Sequence, residues 1–126
     1  MTLVHPKRIY IETYHGCNAR CAICPTDEWE RPPGPMDQDV FERILAETVQ
    51  FKDNLIVVSL YSVGEPLMDK KIDLRVAQCK EAGLPNVGFS TNGFFLDEAW
   101  STRLLQARAF PSTPWTRRLT RRSEGA

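Results

Sequence analysis

The chain has 126 residues, room for one domain and not for two. Its 42% hydrophobic and 25% charged residues are those of a folded globular domain, and 16 basic side chains balance 16 acidic ones, so bulk charge points to neither a nucleic-acid nor a membrane partner. No apolar run approaches the ~20 residues that cross a bilayer, and Met1 to Arg8 lacks the apolar stretch of a secretory signal. A reducing, cytoplasmic setting is expected, where clustered cysteines serve as metal ligands more often than as disulfides.

In chain order, Lys7 to Tyr14 alternates and is rich in β-branched and aromatic residues, which predicts a first strand; Gly16 breaks it. Cys17, Cys21 and Cys24 follow in the spacing C-x3-C-x2-C. Arg31-Pro-Pro-Gly-Pro35 excludes helix and central strand. A helix then starts at Met36 to Asp39, with Asp37 as its N-cap and Val40, Phe41, Ile44, Leu45 and Val49 at helical spacing. Asp37 and Asp39 belong to that helix start, where negative charge meets the dipole, and not to a catalytic pair. Leu55 to Tyr61 is a nearly continuous apolar run, the pattern of a strand buried on both faces of a parallel sheet. Ser62 to Pro66 is the loop beyond it. A second helix is predicted from Lys70 to Ala82, ending at Gly83 with Pro85 beyond. Val87 to Thr91 is a short third strand, Asn92-Gly93 a turn, and Leu96 to Ala109 a third helix capped near Asp97.

The order β-α-β-α-β-α predicts right-handed crossovers and a parallel sheet with helices outside. The cysteines, Gly64-Glu65-Pro66 and Thr91-Asn92-Gly93 each lie just beyond a strand, so all three converge on the carboxyl-end rim, where such folds build their sites. Three soft thiolates from one short loop can hold three corners of a cubic iron–sulfur cluster and leave the fourth iron open to a small molecule. The competing readings are a structural zinc site completed by His15 or His5, which lacks the usual second cysteine pair, and a thioredoxin-like CxxC at Cys21 and Cys24, which leaves Cys17 unexplained. Cys79, alone in a helix, reads as a core thiol.

The segment Ile11 to Cys24 resembles the cluster loop of the radical S-adenosylmethionine (radical SAM) enzymes, Val63-Gly64-Glu65-Pro66-Leu67 resembles their Gly-Glu-Pro motif after the second strand, and Ser90-Thr91-Asn92-Gly93 resembles their third-strand ending. The likeness runs from about Ile9 to Ala107. It implies an α/β fold, a partial (β/α) barrel of the radical SAM type. It also implies a 4Fe–4S cluster on Cys17, Cys21 and Cys24, with S-adenosylmethionine chelating the open iron and cleaved reductively to a 5′-deoxyadenosyl radical that abstracts a substrate hydrogen. Ile23 would lie against the adenine, Gly64, Glu65 and Pro66 would offer carbonyls to the methionine ammonium, and Thr91 and Asn92 would hydrogen-bond the cofactor. His15 would face a cluster sulfide or the substrate, unless it is a satisfied loop histidine. Glu12 would be a barrel-interior polar residue of open role. The implied partners are S-adenosylmethionine, an electron donor such as flavodoxin or ferredoxin, and a substrate the sequence does not identify.

Only three βα units of the fuller barrel are present. Residues 1–109 are therefore expected to be the N-terminal part of the core domain, cut short or split from a longer enzyme. A partner chain would then complete the barrel edge. Residues 110–126, Pro-rich and then carrying Arg117, Arg118, Arg121 and Arg122, are expected to be a disordered tail. The rival readings are a non-catalytic iron–sulfur or zinc module and an inactive truncated gene product.

Overall fold

The structure, a computed structural model, describes residues 4–25 and 28–107, and the expected tail 110–126 lies outside them. In chain order its elements are β1 (Arg8–Tyr10), β2 (Tyr14–His15), β3 (Gly34–Pro35), α1 (Gln38–Val49), β4 (Val57–Ser59), a 3-10 turn at Pro66–Met68, α2 (Ile72–Glu81), β5 (Val87–Gly88) and α3 (Glu98–Gln106). β1, β4 and β5 form a parallel sheet in the order β1-β4-β5, with Ile9 opposite Val58 and Val58 opposite Val87. Backbone bonds extend the ladder beyond the strands proper: Ile56 N–H donates to Lys7 O, Ile11 N–H to Ser59 O and Leu60 N–H to Gly88 O, each at 2.8 Å.

The first strand is shorter than its alternation predicts. The chain leaves the sheet after Tyr10, and Tyr14–His15 turns away to pair antiparallel with Gly34–Pro35. Proline cannot donate to a ladder but can accept at an edge, so the Pro-rich segment still forms β3 in a separate two-stranded sheet. This hairpin-like clasp closes the base of the cysteine loop.

The core lies between the sheet and the first two helices. α1 buries Phe41, Leu45 and Thr48 on one face, and α2 buries Ile72, Val76 and Cys79. These meet Val58 of the central strand and Leu60 just beyond it, both fully buried; each such side chain contributes about 1.5–3 kcal/mol by leaving water. Asp37 stands at the N-cap of α1 as predicted, but its side chain makes no capping hydrogen bond. α2 ends as its sequence predicts: Ala82 is the C-cap, and beyond Gly83 the Leu84 N–H returns to Cys79 O at 3.2 Å. α3 starts from Asp97, whose carboxylate accepts from Trp100 N–H at 2.8 Å. It buries no residue fully and is tied to α2 by Arg103, which meets both carboxylate oxygens of Asp73 at 2.9 and 3.0 Å and lies over the Trp100 ring. Among the described residues no helix is long and apolar enough to cross a membrane.

Candidate functional site

The three loops singled out in the sequence do meet at the carboxyl ends of β1, β4 and β5, and Gly64 explains how closely. A Cβ there would stand 2.0 Å from Tyr14 O and 3.1 Å from Gly16 O, so only glycine lets the loop after β4 lie against the stem of the cysteine loop. Glu65 N–H seals the contact by donating to Gly16 O at 2.8 Å. Gly16 has φ +128°, and a Cβ there would meet Pro33 at 2.9 Å.

Glu65 is 3% exposed, so its carboxylate must find partners inside the protein. Oε1 accepts from Leu67 N–H at 3.1 Å and from the Thr91 hydroxyl, while Oε2 accepts from Asn92 N–H at 2.9 Å. The side chain thus clamps the loop after β5 to the loop after β4. The carbonyls of Glu65 and Pro66 accept from Met68 and Asp69 within the turn, at 3.1 and 3.0 Å; each keeps a second lone pair. Asn92 reaches the cysteine loop, its Nδ2 donating to Asn18 Oδ1 at 2.8 Å and lying 3.6 Å from Cys17 Sγ.

Glu12 organises the opposite wall. Oε1 accepts from Arg31 Nη2 and pairs with His15 Nδ1, both at 2.9 Å, and Oε2 accepts from Val63 N–H at 3.2 Å. One carboxylate thereby joins the stem of the cysteine loop, the approach to β3 and the loop after β4. The His15 ring stands 4.9 Å from the Trp29 ring, with Nε2 buried and without a partner. His15, Trp29 and Arg31, with Tyr14 and Cys17, line a cavity of about 280 Å³ beside the cysteine loop.

A further knot lies beneath. Arg75, 1% exposed, donates from Nη1 to Asp69 Oδ2 at 2.8 Å and to Thr13 O at 3.2 Å, and from Nη2 to Met36 O. Its guanidinium lies 5.0 Å from the centre of the Phe41 ring. Burial pushes the Asp69 carboxyl up and the Arg75 guanidinium down, each opposed by the other's charge. Sequence reasoning missed this pair, although one signal was available. Ile72, Arg75, Val76 and Cys79 follow the i, i+3, i+4, i+7 stripe, so an arginine occupies a core-facing position.

The cysteines themselves stand in two settings. Cys17 is half-buried on the stem, whereas Cys21 and Cys24 are exposed; all are free thiols, and Cys24 N–H donates to Cys21 O at 3.0 Å in a tight turn. Among the described residues no three cysteine, histidine or carboxylate side chains are drawn together closely enough to hold a metal ion. The donor set nonetheless fits an iron–sulfur centre: three soft, unpaired thiols on one short loop, with two of them open to an incoming group. Ile23, expected against an adenine, is 93% exposed beside them. Cys79 is buried in the core, its thiol pushed up to about 12 by burial, and takes no part.

Fold and rim together define a mixed α/β domain with a parallel sheet and a three-cysteine loop at its carboxyl edge. The Radical SAM superfamily profile matches residues 11–111, and the chain belongs to that superfamily. It is 34% identical over 92 residues to the tungsten-containing aldehyde ferredoxin oxidoreductase cofactor-modifying protein of Pyrococcus furiosus, a match that covers 73% of this chain and 25% of that protein. Among solved structures it is similar to BtrN in complex with AdoMet and 2-DOIA, with a TM-score of 0.68, 28% identity and coverage of 85% of this chain and 44% of that one. An open conformation of BtrN gives a TM-score of 0.65 at the same identity, covering 85% of this chain and 48% of that one. The chain therefore spans a quarter of the Pyrococcus protein and less than half of either BtrN chain.

Proposed function

We propose that this chain supplies the cluster-binding and S-adenosylmethionine-binding part of a radical SAM enzyme, with a partial (β/α) barrel as its frame. The observation that carries the reading is the convergence of the cysteine loop, Gly64-Glu65-Pro66 and Thr91-Asn92 on one rim, closed by the Gly64–Tyr14 approach. Cys17, Cys21 and Cys24 would ligate a 4Fe–4S cluster, which when bound supplies the electron that splits S-adenosylmethionine and so furnishes the 5′-deoxyadenosyl radical for hydrogen abstraction.

The chain's own residues bind and orient. The carbonyls along Gly64-Glu65-Pro66, stiffened by the proline and the 3-10 turn, would accept from the methionine ammonium. Glu65 keeps that loop in place through its three internal hydrogen bonds and therefore acts as a clamp, with its carboxylate spent inside the protein. Ile23 would pack on the adenine once the outer part of the loop is ordered by its ligand. The electron donor, a flavodoxin or ferredoxin, and the hydrogen-donating substrate belong to the same proposal, as does a second chain or segment that completes the barrel.

Anoxic loading of the protein with ferrous iron and sulfide tests it. The expected result is a 4Fe–4S spectrum that changes on adding S-adenosylmethionine, followed by 5′-deoxyadenosine on reduction. Colourless protein holding zinc, or no iron and acid-labile sulfide after loading, overturns the reading.

A further inference from the structure

The three cysteines differ in how they are held. Cys21 and Cys24 are exposed on the outer arc of their loop, but the Cys17 sulfur is half-buried and receives two donors, Ala19 N–H at 3.4 Å and Asn92 Nδ2 at 3.6 Å. Asn92, though exposed, is itself held at its backbone N–H and at both ends of its amide. Its backbone N–H is held by Glu65 Oε2 at 2.9 Å, its Oδ1 accepts from Phe94 N–H at 3.0 Å, and its Nδ2 also donates to Asn18 Oδ1 at 2.8 Å. The amide orientation follows from this network: Phe94 N–H demands the oxygen, which turns both N–H groups of Nδ2 towards Asn18 and Cys17. Thr91, the residue before Asn92, adds a second tie to Glu65.

We infer that Asn92 is a positioning residue for Cys17. Its side-chain amide, aimed by the buried Glu65 carboxylate, holds the ligating sulfur in place and draws electron density from it. The inference rests on the cluster reading above and departs from it in one respect: Asn92 serves a cysteine sulfur, and does not serve S-adenosylmethionine directly. An N–H donated to a ligating thiolate favours the more negative, reduced state of the metal centre and so raises its reduction potential. The clamp therefore links the Gly-Glu-Pro loop, through Asn92, to the electronics of the cysteine loop, Asn92 reaching Cys17 across 75 residues of sequence.

The test compares the parent protein with Asn92→Ala and Asn92→Asp, each loaded anoxically with ferrous iron and sulfide. Iron and acid-labile sulfide content, S-adenosylmethionine affinity of the oxidised protein and the reduction midpoint by electron paramagnetic resonance are read separately. Asn92→Ala is expected to take up the cluster with a reduction equilibrium constant about tenfold smaller, which is ~59 mV for a one-electron couple. Asn92→Asp keeps the acceptor for Phe94 N–H but places a negative oxygen against the sulfur, so its potential falls further. In heavy water, the exchangeable deuteron that Asn92 Nδ2 couples to the reduced parent centre is lost from both variants, while that of Ala19 N–H stays. Should Asn92→Ala fail to fold in the metal-free state, Asn92→Asp carries the measurement. An unchanged potential with the deuteron coupling retained overturns the inference and leaves the cluster reading standing; parent protein that takes up neither iron nor sulfide overturns both.

Discussion

The rim has two tiers built on opposite principles. In the lower tier Arg75, Asp69, Thr13 and Glu65 are packed away from water around the half-buried Gly64, and their side chains bond to backbone and to neighbouring side chains, Arg75 Nε excepted. In the upper tier Cys21, Ile23 and Cys24 stand in solvent, held by a single tight turn. A site for a redox group needs both. The lower tier sets where the loop stems go at a cost in buried charge that only good geometry repays. On the proposed cluster reading, the open upper tier is where Cys21 and Cys24 would gain their partners from the group they bind, as metal sites commonly couple ligand ordering to binding.

The sharpest way to break this contrast is to remove the lower knot. Arg75→Ala leaves Asp69 buried without its hydrogen-bonded cation, removes the guanidinium from Met36 O and leaves Thr13 O with the Met36 N–H alone. It is expected to cost about 3–5 kcal/mol, read as a lowered urea midpoint, whereas Cys24→Ala in the upper tier should leave that midpoint unmoved in metal-free protein. Gly64→Ala comes next, at about 3 kcal/mol, the upper end of the usual overpacking range, because backbone faces backbone and neither can yield as a side chain would. Glu65→Gln puts an amide donor among three donors and should cost about 1–3 kcal/mol, with loosened amide exchange at Asn92 as its local signature.

Two smaller effects sharpen the comparison. Cys79 separates the tiers chemically: in folded metal-free protein iodoacetamide should label Cys17, Cys21 and Cys24, and reach Cys79 only on unfolding. Its thiol is raised from 9.0 to about 12 in the fold. Between those values the unfolded thiol has lost its proton and the folded one has not, so stability falls as pH rises through the window, by about 1.4 kcal/mol per pH unit. Asp97→Ala, remote from both tiers, should cost about 1 kcal/mol through its lost cap and leave cluster loading unaltered.

The sequence placed the elements well where a local rule governs them. Helical spacing located α1 and α2, Gly83 marked the end of α2, Asp97 the start of α3, and the apolar run Leu55 to Tyr61 the central strand. It overran at the first strand, because alternation continues through Tyr14 while the chain has already turned to pair with Gly34 and Pro35. Pairing partners of that kind are non-local, and no window of residues contains them. The same holds for Glu12 and Glu65. Glu12 read as an interior polar residue of open role, and Glu65 as a backbone-carbonyl contact to the cofactor, with no role for its side chain. Contacts 51 and 27 residues away make both of them clamps.

What the chain's letters alone determined is its chemistry: three soft sulfur donors on one loop, a glycine-acid-proline turn and an asparagine-glycine turn, each following a strand of a parallel sheet. Those are short-range facts, set by residue type and spacing. Only the tertiary structure decided which carboxylates are consumed internally, why Gly64 can carry no side chain, and that an asparagine beyond the third strand reaches the first cysteine. Such facts arise when distant segments are forced together out of water, where every buried polar group must find its partner in space, whatever its separation in sequence.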